Sequence, residues 1–240
     1  MEGFSYRYRF LLPGGELKEF EVRLDPETFA LVRPERDSWP EWTALAFCRC
    51  PNCPIDEKSQ PRCPVAEGLV EVVEYFKGAL STDTTGIEVS SETRKISKRA
   101  SMSDGIGAVI GMVMVSCGCP IMDRLRPMLR THLPFSTIDE TLYRTFTMYL
   151  LAQYFIARRG GTADWAMGGL PRLLEDVQTV NRSFCKRLHG TCIRDASVNA
   201  LVHLDSFTEL TNLALLRKKG RLDRLERSFA AYLEGLPTTP

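Results

Sequence analysis

The sequence predicts an α+β protein: a small N-terminal β-hairpin or sheet unit with a cysteine-rich loop, packed on a larger C-terminal helical part. Three observations predict it. Before residue 100, short stretches alternate apolar and polar side chains at the two-residue period of a strand. After Ser101, apolar residues recur at helical spacing and are flanked by capping signals. Between the strand patterns, four of the eight cysteines crowd into the proline-punctuated segment FCRCPNCPIDEKSQPRCP, residues 47–64. The expected division is residues 1–100 for the α+β unit and 101–240 for the helical part, together forming one compact body.

Taken in order, Tyr6, Tyr8 and Phe10 alternate with Arg7, Arg9 and Leu11, and the alternation resumes at EFEVRLD after a PGG turn, which predicts a hairpin. The segment 33–43 is polar and broken by proline, so it reads as a connection into the cysteine loop. Pro64 suits a first helical turn, and Leu69, Val72, Val73 and Phe76 supply the apolar face of the helix it opens. GIEVSS and RKISKRA predict a second strand pair. The apolar run at 105–118 is too short to span a bilayer and predicts a buried helix, with Gly107 and Gly111 allowing close packing. Thr137 and Glu140 form a capping box ahead of LYRTFTMYLLAQYFIARR, and Gly160 or Gly161 closes that helix. Pro171 opens a helix running towards His189, Asp195 caps the next, and Gly220 separates it from a final helix ending near Gly235.

Composition narrows the function. With 31 Lys and Arg against 30 Asp and Glu, the net charge of +1 provides no global field for nucleic acid or an anionic membrane. The N-terminus interleaves aromatic and basic residues where a secretory signal needs an apolar segment, so a cytoplasmic location is expected. Cysteines in a reducing compartment are expected as thiols, thiolates or metal ligands.

Cys48, Cys50, Cys53 and Cys63 are therefore the candidate metal ligands. Four thiolates satisfy a closed tetrahedral zinc site and equally an iron–sulfur cluster. The flanking prolines restrict the backbone and reduce the entropy lost when such a loop wraps an ion. The segment lacks the C-x2-C-x2-C run of bacterial ferredoxins, which favours structural zinc, with the iron–sulfur cluster as the alternative. Cys117 and Cys119, in SCGCP, are secondary candidates that join the site only if folding carries them to the first cluster. Cys185 and Cys192 have no paired motif and read as structural. Arg126, Arg130 and His132, with Arg124 beside them, form the candidate pocket for a small anionic ligand. The basic groups at 94–99 and 217–221 read as solvated faces, and neither a P-loop nor a dinucleotide fingerprint is present.

The segments FCRCPNCP, RCPVA, SCGCPIMDRLRPMLRTHLPFSTIDETLYRTFTMYLLAQYF and VQTVNRSF resemble an uncharacterised bacterial protein family over most of the chain. The resemblance implies a bacterial origin and a single architecture. It carries over no catalytic residue and selects no metal. Three function classes follow: a metal-binding protein with structural zinc, an iron–sulfur or thiol redox or sensor protein acting on an anionic ligand, and a metal-free helical interaction protein. Partners are expected to be another protein or a small anion.

Overall fold

The computed structural model describes residues 4–12, 14–189, 195–216 and 221–234. Strands β1 (Phe4–Leu11) and β2 (Leu17–Leu24) form the antiparallel hairpin, with Gly15 at φ +82° in its turn. Strands β3 (Thr84–Ser90) and β4 (Lys95–Ser101) form the second pair. The two pairs join into one antiparallel sheet of order β2-β1-β3-β4, because β1 also pairs with β3 in the register Tyr8 opposite Val89. Alternation places Tyr6, Tyr8, Phe10, Val22, Leu24, Ile87 and Val89 on one buried face. The other face carries ion pairs such as Arg9 with Glu19 at 2.7 Å and Lys95 with Glu88 at 2.6 Å.

Two helices cover the buried face. Helix α1 (Pro64–Tyr75) opens at its predicted proline, and α2 (Met102–Ser116) is capped by Ser101, whose side chain accepts from the Asp104 amide at 3.1 Å. Gly105 lets α2 lie against the sheet: a Cβ there would stand 2.5 Å from the Phe10 ring and 2.6 Å from Ile87. Gly68 does the same between the helices, since its Cβ would meet the Cys117 and Val113 side chains at 3.1 Å. The start of α1 thus lies beside the end of α2, which is what brings the two cysteine segments near one another. As predicted, α2 is buried, and among the described residues no helix is long and apolar enough to cross a membrane. A 3-10 segment, Met122–Thr131, follows it.

Helices α3 (Ile138–Arg158), α4 (Leu170–His189) and α5 (Asp195–Leu216) make up most of the remainder, which makes the whole an α+β protein. The predicted capping box on α3 forms, and Gly160 follows the helix at φ +81°. Gly111 faces Leu204 of α5, where a Cβ would approach to 3.3 Å. The single final helix expected before residue 235 is instead two short ones, α6 (Arg221–Arg227) and α7 (Ala230–Leu233). Ser228 stands at the break and donates its hydroxyl to the Leu225 carbonyl at 2.6 Å, competing with helical bonding. Cys192, Arg217, Lys218, Lys219 and Gly220 lie outside the described residues.

The chain divides into two compact units, Met1–Phe135 with Asp176–Ser206, and Ser136–Glu175 with Phe207–Pro240. The first contains the sheet, α1, α2 and the cysteine loop. In the second, Asp164 accepts from the Tyr149 hydroxyl and the Gly169 amide, both at 2.8 Å, closing the loop after α3.

Candidate functional site

The cysteine loop is tied at its base. Ala44 and Arg62 form an isolated antiparallel bridge, the Leu45 amide donates to Pro61, and the Cys63 amide donates to Thr43 at 2.9 Å. Within the loop the Cys53 amide donates to the Cys50 carbonyl at 3.1 Å, so this C-x-x-C forms a tight turn. Arg49 braces the loop by donating to the Ile55 carbonyl at 2.7 Å.

The loop docks on the part of α4 that belongs to the first unit. Asn52 donates to the Asp176 carbonyl at 3.0 Å, and the Trp42 ring meets Phe184 edge-on. The dominant contact is Arg187, which is 2% exposed. Its Nη1 donates to the carbonyls of Trp42 at 2.5 Å and Ala44 at 2.7 Å, and its Nη2 to that of Cys48 at 2.6 Å. No carboxylate pairs with it among the described residues. A buried cation held only by carbonyl dipoles is costly unless negative charge lies close by.

The thiols supply candidates for that charge. Burial pushes the Cys50 thiol up to about 11; the Ser183 hydroxyl opposes this, and the thiols of Cys63, Cys53 and Cys119 reinforce it. Burial also raises Cys63, against the pull of the Ala66 amide at the start of α1 and of the Arg187 charge. Cys119 is raised by burial, opposed by the amides of Met122 and Ile121, and it too feels Cys63 and Cys53. Cys117 is fully buried and pushed up strongly, with its thiol donating to the Met114 carbonyl at 3.2 Å. The Cys117 thiol is raised by Cys119 and Cys63 as well, so Cys50, Cys53, Cys63, Cys117 and Cys119 all feel neighbouring thiols. Cys48 also meets α4 at Ser183, its thiol donating to the Ser183 carbonyl at 3.5 Å. Cys50, Cys53, Cys63 and Cys119 are free thiols. Among the described residues no group of three or more His, Cys, Asp or Glu side chains is arranged to hold a metal ion. The donor set is nonetheless purely sulfur, the chemistry of zinc and iron–sulfur sites.

A family model, described as a domain of unknown function (DUF6901), matches residues 4–230. The chain belongs to the DUF6901 family. No curated protein and no solved structure matches it.

In this DUF6901 chain the arginines and histidine proposed for an anion separate. Arg126 pairs with Asp123 and its Nε is buried without a partner, while Arg124 reaches Asp176 at 3.9 Å. Arg130 and His132 line a cleft of about 230 Å³ beside the sheet, and no cysteine stands in its wall. His132 Nε2 is 2.8 Å from the buried Tyr8 hydroxyl, and its ring packs edge-on against Tyr6. Cys185 is half-buried on α4 and raised to about 11 by burial and Asp205, apart from the other thiols. Sequence reasoning missed Arg187. Its signal was present: Val177, Val180 and Phe184 define the buried stripe of α4, and Arg187 continues it at i+3.

Proposed function

We propose that this DUF6901 chain is a metal-binding protein in which Cys50, Cys53, Cys63 and Cys119 hold one zinc ion as thiolates in a structural role. The observation that carries the reading is the approach of the end of α2 to the start of α1, where a Cβ on Gly68 would stand 3.1 Å from that of Cys117, with the Cys119 thiol raised by Cys63 and Cys53. Two features support it. Arg187 places a buried positive charge beside Cys63, which suits a site whose four thiolates outweigh the two charges of the ion. The amides of Ala66, Met122 and Ile121 favour the ionised sulfurs of Cys63 and Cys119.

An ion held there would couple metal binding to the folding of the loop. The ion would supply a cross-link between the loop, α1 and the segment after α2. Four sulfur donors leave no open position, which makes the role structural rather than catalytic. Protein purified without added metal should contain about one zinc per chain, and a strong chelator should lower its melting temperature by on the order of 10 °C. Iron with acid-labile sulfide and a brown absorption would replace zinc with an iron–sulfur cluster. Neither metal, with unchanged melting, would leave a metal-free helical interaction protein.

A further inference from the structure

A second cleft is bounded by β1, by the turn between β3 and β4 and by residues 130–134, with no cysteine in its wall. Arg94, Arg130, Ser91, Thr93, Phe29 and Tyr6 contribute to its wall. Neither arginine is paired with a carboxylate among the described residues, although both stand at one small cavity. The Arg130 guanidinium lies over the Phe29 ring at 4.9 Å from its centroid, a cation–π contact. Phe29 itself sits at φ +57°, a left-handed conformation that bulky residues rarely adopt. A strained aromatic in contact with an unpaired guanidinium at a cavity mouth has no evident role in the core, and residues of this kind cluster at ligand sites.

We infer that this cleft binds a small planar organic anion: a single aromatic ring carrying a carboxylate or phosphate. The two guanidinium forks match the oxygens of either group. The hydroxyls of Ser91 and Thr93 add neutral donors, and Phe4, Tyr6 and Phe29 form an aromatic wall in which neighbouring rings stand 5.1 and 5.5 Å apart. The volume of about 230 Å³ limits the body to about one ring, below the roughly 300 Å³ at which drug-sized pockets begin.

Calorimetric titration of the full chain with benzoate and with phenyl phosphate tests this, with inorganic phosphate and benzyl alcohol as the anion and the ring alone. At least one of the first pair should bind with Kd below about 1 mM, and each single-part probe at least tenfold more weakly. Which of the two binds more tightly separates the carboxylate from the phosphate source. Arg94→Ala and Arg130→Ala should each weaken binding tenfold or more, while Arg99→Ala, on β4 and outside this cleft, should leave it unchanged. Circular dichroism of each variant should match the parent. The inference is overturned if neither aromatic anion binds with Kd below about 1 mM. Inorganic phosphate binding as tightly as phenyl phosphate would also overturn it, as would binding that survives both alanine substitutions.

Discussion

Arg187 is the residue on which the cysteine loop depends most. Its guanidinium satisfies the carbonyls of Trp42, Ala44 and Cys48, none of which a hydrophobic side chain could serve. Arg187→Met should cost about 3 kcal/mol or more, since each orphaned buried acceptor costs about 1–3 kcal/mol. Urea denaturation of the metal-loaded protein would measure it, and a cost under about 1 kcal/mol would show that the carbonyls find water. Cys50 makes a prediction in pH. Burial holds its thiol at about 11 in the fold, above the value of about 8.5 for an exposed thiol. A group raised in this way stabilises the fold fully below the unfolded value, and the contribution is lost as pH rises through the folded one. Metal-free protein should therefore lose stability between about pH 8.5 and about 11, and Cys50→Ser should flatten that part of the profile. A profile that Cys50→Ser leaves unchanged would contradict the assignment. Zinc should show the converse at lower pH: its affinity falls as pH falls, because protons compete for the four sulfurs.

At the scale of elements, the close approach of α2 to the sheet and to α1 sets the position of Cys119. Gly105→Ala would force a Cβ to within 2.5 Å of the Phe10 ring and should cost about 1–3 kcal/mol as overpacking. Gly78→Ala, where a Cβ would meet nothing within 4 Å, is the matched control and should be far milder by the same denaturation measurement. The strands were legible because Tyr6, Tyr8 and Phe10 alternate cleanly with charged residues, and α3 because Thr137 and Glu140 announce its start. What stayed hidden was the orientation of the thiols. Cys48 closes a 3-10 turn, Leu45–Cys48, and its thiol reaches the Ser183 carbonyl on α4, while Cys50 meets the Ser183 hydroxyl. The pairing of β1 with β3 and the approach of Cys119 were equally hidden, because no local pattern encodes a contact between segments so far apart in sequence.

For the molecule as a whole, the candidate site lies entirely within the first unit, which combines Met1–Phe135 with Asp176–Ser206. That unit takes the sheet, the loop and α2 from the N-terminal segment and Arg187 from α4. No division at a single sequence position could describe it. The loop, residues 45–61, has little secondary structure of its own, and its order rests on the bridge at its base, on Arg187 and, in this account, on an ion. The most direct measurement is the zinc content of two single variants, Cys119→Ser and Cys48→Ser, purified alongside the parent and measured by elemental analysis. About one zinc per chain is expected in the parent and in Cys48→Ser, and a small fraction of that in Cys119→Ser. Full zinc in Cys119→Ser would contradict a ligand role for Cys119, and its loss in Cys48→Ser would return the ligand set to the four cysteines of the loop segment.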